Sequence, residues 1–194
     1  MNRRRFLSTL RRRTRSIAAA VDAKLDRRAG RERAILVGDA AGFTRAVHEH
    51  GILQFLAVMT RCYDRIIPLL ERGGGRVLSA RADNLLAVFE TPEDAVGAAV
   101  RVQGWLRRQN RGRRREERLR LCVGIDVGRV IELEDDVYGA AVNVASKLGE
   151  DLASADEILV TGAVAGRVKL RYRASYARSA EIGGRLFELY RIRP

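Results

Sequence analysis

The sequence predicts an α+β fold, a largely antiparallel sheet with helices packed on one face of it. Two observations carry that prediction. Short apolar runs at 34–37, 77–78, 85–89, 119–127 and 158–161 read as strands. Between them lie stretches with helical spacing, 44–72 and from 91 onward, so that paired strands alternate with helices. With 194 residues, 46% of them hydrophobic, the chain suffices for one buried core and an appended tail. The division is a basic tail at 1–33 and a domain at 34–194.

The tail comes first. It holds twelve Lys and Arg against three Asp and Glu. Phe6 and Leu10 lie one helical turn apart, as do Ile17 and Val21, followed by Leu25. This basic amphipathic pattern has three readings: attachment to an anionic membrane surface, nucleic acid or an acidic partner, a helix packed on the domain or a second copy, or a disordered arm. Arg11, Arg12, Arg13 and Arg15 interrupt any apolar run after Arg3-Arg4-Arg5, which excludes an export signal. Gly30 is expected to end the helix.

The domain then reads in order. Ala34–Val37 is a buried strand leading into Asp39. Val47, Ile52, Phe55, Leu56, Met59, Ile66 and Leu70 mark one helix, ended by Gly73-Gly74-Gly75. Val77–Leu78 and Leu85–Phe89 flank Arg81-Ala82-Asp83-Asn84 as a hairpin. Thr91-Pro92-Glu93-Asp94 is a helix start, with a capping hydroxyl, a first-turn proline and acids facing the helix dipole. Leu119–Val127 and Arg129–Leu133 read as a second hairpin, Tyr138–Leu148 as a helix of small residues. Ile158–Thr161, a short helix and two strands up to Ile192 complete the chain.

The net charge of +13 is concentrated rather than general. Residues 1–33 carry +9 and residues 107–120 carry +6, leaving the rest at −2. A body built throughout for nucleic acid is therefore disfavoured. Cys62 and Cys122 sit in apolar surroundings and argue against a disulfide framework, which suits a cytoplasmic location, with the tail allowing a peripheral position at the membrane. His48 and His50 read as surface histidines.

One constellation carries chemistry. Asp39 ends a strand, and Ala40-Ala41-Gly42-Phe43-Thr44 opens a helix whose backbone amides favour phosphate. Antiparallel pairing can bring Asp83 beside Asp39, and two carboxylates there can hold Mg²⁺ or Mn²⁺. Taken alone this spacing is a weak signal, since an aspartate at a turn is usually an ordinary turn residue.

Gly38-Asp39-Ala40-Ala41-Gly42-Phe43-Thr44 resembles the first-metal motif of class III nucleotide cyclases, the adenylyl and guanylyl cyclase superfamily. The hairpin from Gly74 through Asp83 to Phe89 is similar to the one carrying that family's second metal aspartate. Asp136 to Leu148 matches its most distinctive segment, and Val123–Gly128 and Ile158–Thr161 fall in register. The resemblance implies a ferredoxin-like βαββαβ core acting as a homodimer with sites at the interface. It implies conversion of a nucleoside triphosphate to a 3′,5′-cyclic nucleotide and pyrophosphate with two divalent ions, Mn²⁺ or Mg²⁺. By motif position Asp39 and Asp83 are the metal ligands, assisted by the Ala40 carbonyl. Gly42, Phe43 and Thr44 offer amides to phosphate. The second subunit supplies Asp136 near the base and Asn143 at the ribose, with the cation at Lys147 and Arg185 toward phosphate.

The chain departs from the family pattern at several positions. Ser79 stands where ATP-using members carry lysine, Ala82 where a glycine precedes the second aspartate, Lys147 where arginine stabilises the transition state, and Cys122 where an arginine is common. Alternation along a strand places Ser79, Arg81 and Asp83 toward one cleft. A guanidinium at Arg81 can donate to base carbonyls, which uracil, cytosine and guanine possess and adenine lacks. A surface hairpin arginine is the plainer reading. Pyrimidine substrates, as used by bacterial cyclases of antiphage signalling, thus stand level with purines. The alternatives are a catalytically silent domain that dimerises or binds nucleotide, and a basic binding protein using the fold as a platform.

Overall fold

The computed structural model describes residues 1–193. In chain order the elements are α1 (Arg3–Leu10), α2 (Ala18–Ala29), β1 (Gly30–Ala40), α3 (Phe43–His50), α4 (Ile52–Glu71), β2 (Arg76–Arg81), β3 (Asn84–Phe89) and α5 (Pro92–Gln109). There follow β4 (Leu121–Glu132), β5 (Val137–Tyr138), α6 (Ala140–Ser146), β6 (Ile158–Thr161), α7 (Gly162–Val168), β7 (Ala174–Ile182) and β8 (Arg185–Ile192). The strands form one sheet in the order β2-β3-β1-β4-β6-β8-β7, with β5 added beside β4. Among the described residues only the β4–β6 pair is parallel. The central β2-β3-β1-β4 order, with α3–α4 and α5 as the crossovers, is the ferredoxin-like arrangement.

Alternation along β1 divides the core. Ala34 and Leu36 point to the face covered by α4, α5 and α7, where Met59, Ile66, Leu70, Val102 and Leu106 pack. Ile35 and Val37 point the other way, against Ala141 and Ala145 of α6. Helices therefore cover both faces, not one. The close approach of α6 rests on glycine: a Cβ on Gly124 would lie 2.3 Å from the Ala145 carbonyl, and one on Gly149 2.8 Å from that of Val37. After α6 the chain continues as a π-helical turn, Lys147–Leu152, lying over β1 and β4.

Three expected boundaries are corrected. The long helix is broken at Gly51, whose φ of +81° ends α3 and turns the chain into α4. The expected second hairpin is one twelve-residue strand, β4. Gly128 interrupts nothing, because it faces Ala141, whose Cβ a side chain there would meet at 3.4 Å. Strand β1 starts at Gly30, four residues before the apolar run, and so reaches into the basic segment.

The helix start at Thr91 forms as its residues dictate. The Thr91 hydroxyl accepts from the Asp94 amide at 3.2 Å and donates to the Asp94 carboxylate at 2.6 Å. Such a cap contributes about 1 kcal/mol. The tail folds into α1 and α2, which pack on the domain: Phe6, Leu25 and Ala29 close against Leu133. Its arginines remain on the exposed side. No helix among the described residues is long and apolar enough to cross a membrane.

Candidate active site

Asp39 lies one residue from the end of β1, where its register partners are Asn84 on β3 and Cys122 on β4, while Asn84 also faces Arg81 on β2. Residues in register share a face. Arg81, Asn84, Asp39 and Cys122 therefore form one row across four strands, on the α6 side of the sheet. Ser79, paired with Leu86, joins that side two residues earlier, after a bulge between Val77 and Ser79. Asp83 does not continue the alternation, because it sits in the turn. Its carbonyl accepts from the Ala40 amide at 3.0 Å, which draws the turn against the end of β1.

The electrostatics follow from this crowding. Asp39 is half-buried, and its carboxyl is pushed up to about 6, first by burial, then by the negative charges of Asp83, Glu150 and Asp151. Glu150 is raised by burial and by Asp151 and Asp83. Burial, then the charges of Asp83 and Asp39, raise the Tyr63 phenol, whose hydroxyl donates to the Ala82 carbonyl at 3.2 Å and backs the turn from the α4 side. The Cys122 thiol is pushed up to about 11 by burial and then by Asp39, Asp156 and Glu157, so it stays protonated near neutrality.

A divalent cation suits this donor set. Two hard, mutually repelling carboxylates gain from a shared positive charge. No group of three or more His, Cys, Asp or Glu poised about one point occurs among the described residues. A magnesium-like ion would therefore take its remaining oxygens from the Ala40 carbonyl, water and substrate phosphate, its usual habit.

Beside the pair, Gly42 caps α3 in the left-handed conformation, and Phe43 packs edge-on against Phe55 with ring centroids 4.8 Å apart. The first amides of a helix have no helical carbonyl to bond. Those of Gly42, Phe43 and Thr44 lie at this turn. A cavity of about 450 Å³ opens next to it, lined by Ala41 and Gly42, by Arg45 on α3, and by Arg115, Arg118 and Arg120. The arginine-rich stretch is thus more than a solvated loop: it includes a 3-10 turn at Arg115–Glu117, and the Arg120 carbonyl accepts from Ala41.

The other sequence-predicted residues lie elsewhere. Asp136 sits just before β5, which pairs with the far end of β4 at Glu132, whereas Asp39 faces Cys122 at the near end. Ten residues of strand separate those positions, about 33 Å. Asn143 projects from α6 into solvent, and Lys147 pairs with Asp151 at 2.7 Å. Arg185 lines a separate cavity of about 440 Å³ between α6 and β8, with Arg129 and the buried Asp126, which accepts from the Thr161 hydroxyl at 2.6 Å. One chain therefore assembles the Asp39–Asp83 end and leaves Asp136 and Arg185 outside it. Glu150, Asp151, Asn84 and Tyr63 escaped the sequence reading. The spacing of Lys147 and Asp151, four residues apart, was the one local signal.

The chain belongs to the adenylate and guanylate cyclase catalytic domain family, whose model matches residues 29–192. It is 32% identical over 135 residues, 67% of its length, to the serine/threonine-protein kinase pkn2 of Myxococcus xanthus. It is 28% identical over 131 residues, 68% of its length, to putative adenylate cyclase 3 of Rhizobium meliloti. These matches span 16% and 22% of the two relatives. The crystal structure of an adenylate/guanylate cyclase/hydrolase from Silicibacter pomeroyi superposes with a TM-score of 0.73 at 26% identity, covering 85% of this chain and 98% of that one.

Proposed function

We propose that this domain converts a nucleoside triphosphate into a 3′,5′-cyclic nucleotide and pyrophosphate. The observation that carries the reading is the Asp39–Asp83 pair beside the α3 turn, in a chain of the cyclase family. In the reaction the ribose 3′-oxygen bonds to the α-phosphorus, the bond from that phosphorus to the bridging oxygen breaks, pyrophosphate leaves with the electron pair, and the hydroxyl proton passes to water. Bound Mg²⁺ or Mn²⁺ would acidify the 3′-hydroxyl and neutralise the triphosphate. Asp39 and Asp83 would hold that ion, with the Ala40 carbonyl. The amides of Gly42, Phe43 and Thr44 bind phosphate. Asp136 faces the base, Asn143 orients the ribose, and Lys147 and Arg185 meet the phosphates.

The separation of Asp136 from Asp39 by most of the length of β4 supports a site completed by a second copy of the chain. Ser79 and Arg81 share the sheet side that bears Asp39, which supports base selection by Arg81 and keeps UTP and CTP beside the purines. The second reading is a silent domain, favoured by the Lys147–Asp151 ion pair, which occupies the cation that follows α6. Metal-dependent pyrophosphate release from ATP, GTP, CTP or UTP separates the two.

A further inference from the structure

The segment bearing Asp136 has little structure of its own. Strand β5 is two residues long and makes two register pairs with β4. A ribbon that short is marginal without outside support. The N-terminal segment provides it in three places. The Phe6 ring stacks on Tyr138, centroids 5.5 Å apart and planes 15° from parallel. Phe6 also joins Leu25 and Ala29 in burying Leu133. The Arg129 guanidinium grips the Asp26 carboxylate of α2 through two bonds of 2.7 and 2.6 Å.

The first of these contacts leads to the Asp136 carboxylate. The Val137 amide donates to Asp136 Oδ1 at 2.8 Å, a bond local to the turn. The Tyr138 hydroxyl donates to Asp136 Oδ2 at 2.5 Å. That second bond depends on where the Tyr138 ring stands, and Tyr138 is otherwise exposed, at 37%. Phe6 covers one of its faces.

We propose that Phe6, through Tyr138, is a positioning residue for Asp136, so that the N-terminal helices set the orientation of the carboxylate that meets the nucleotide base. The role in substrate binding rests on the cyclase reading; the mechanical coupling does not.

The test uses the full chain with Phe6→Ala, Phe6→Tyr and Tyr138→Phe. Amide hydrogen exchange over 133–139 should rise about tenfold in Phe6→Ala, with the centre of β1 unchanged, and return in Phe6→Tyr. Tyr138→Phe keeps the stack and should keep exchange low. With the nucleotide that is turned over, Phe6→Ala and Tyr138→Phe should raise KM about five- to tenfold with kcat within about twofold, and Phe6→Tyr should restore KM. Unchanged exchange in Phe6→Ala overturns the coupling. Raised exchange with wild-type KM in both variants overturns the positioning role. A wild-type chain that turns over no nucleotide counts against the cyclase reading, and the exchange result still decides the coupling.

Discussion

The Ala40 amide donates to the Asp83 carbonyl at 3.0 Å, and this bond joins the β2–β3 turn to the end of β1. It brings together two aspartates that lie 44 positions apart in the sequence. Asp39 meets the negative charge of Asp83 across that junction, with Glu150 and Asp151 arriving on the π-helical turn. Burial first, and then this gathering of charges, raises the Asp39 carboxyl.

Removing either aspartate should therefore separate function from stability. Asp39→Asn and Asp83→Asn are each expected to lower turnover by about a hundredfold or more. In the presence of a chelator, Asp39→Asn should raise Tm, because it deletes the repelled charge. Scanning calorimetry beside a turnover assay checks both. Retained turnover would remove the aspartates as metal ligands.

The sign of the pH dependence is fixed by the direction of the Asp39 shift. Its carboxyl titrates at about 6 in the folded chain, above its ordinary 3.8, so the folded state holds a proton that the unfolded state releases. The contribution of Asp39 to stability therefore declines as pH rises from about 4 to about 6, and levels off above. A divalent cation competes with that proton. Added Mg²⁺ or Mn²⁺ should raise Tm more at about pH 7.5 than at about pH 5. Melting curves with and without metal at both pH values test this; an equal shift at both would contradict it.

Ala82 carries a φ of +48°, the left-handed conformation in which a Cβ crowds the following carbonyl. Ala82→Gly should stabilise the domain by about 1 kcal/mol, reduced somewhat by the greater freedom of glycine in the unfolded chain. A denaturant titration measures it, and a lower midpoint would contradict the account.

The proposed function assigns base choice to Arg81. Arg81→Ala is expected to change the order of kcat/KM among the four nucleotides, lowering the preferred one about tenfold. An unchanged order would make Arg81 an ordinary solvent-facing hairpin residue.

What the sequence disclosed follows from how local each signal is. The Thr91 cap and the approach of the Asp83 turn to the end of β1 are legible because each depends on a few adjacent residues or on one antiparallel register. Gly128 misled for a physical reason. In a single sequence a glycine suggests a turn, whereas here it makes room for Ala141 of α6. The helical spacing through 44–72 hid the break at Gly51, since α3 and α4 both present apolar residues to the same core. The approach of Glu150 and Asp151 to Asp39 could not be read at all, because it needs the π-helical turn to return over β1. Of the three readings of the tail, the burial of Phe6 and Leu25 favours packing on the domain.

The central claim is tested most directly by incubating the full chain with ATP, GTP, CTP and UTP in turn, with Mg²⁺ or Mn²⁺, and identifying the products by mass. The account predicts a 3′,5′-cyclic nucleotide and an equal amount of pyrophosphate from at least one of them, lost in Asp39→Ala and Asp83→Ala. A folded dimer that yields no cyclic product from any of the four would contradict it.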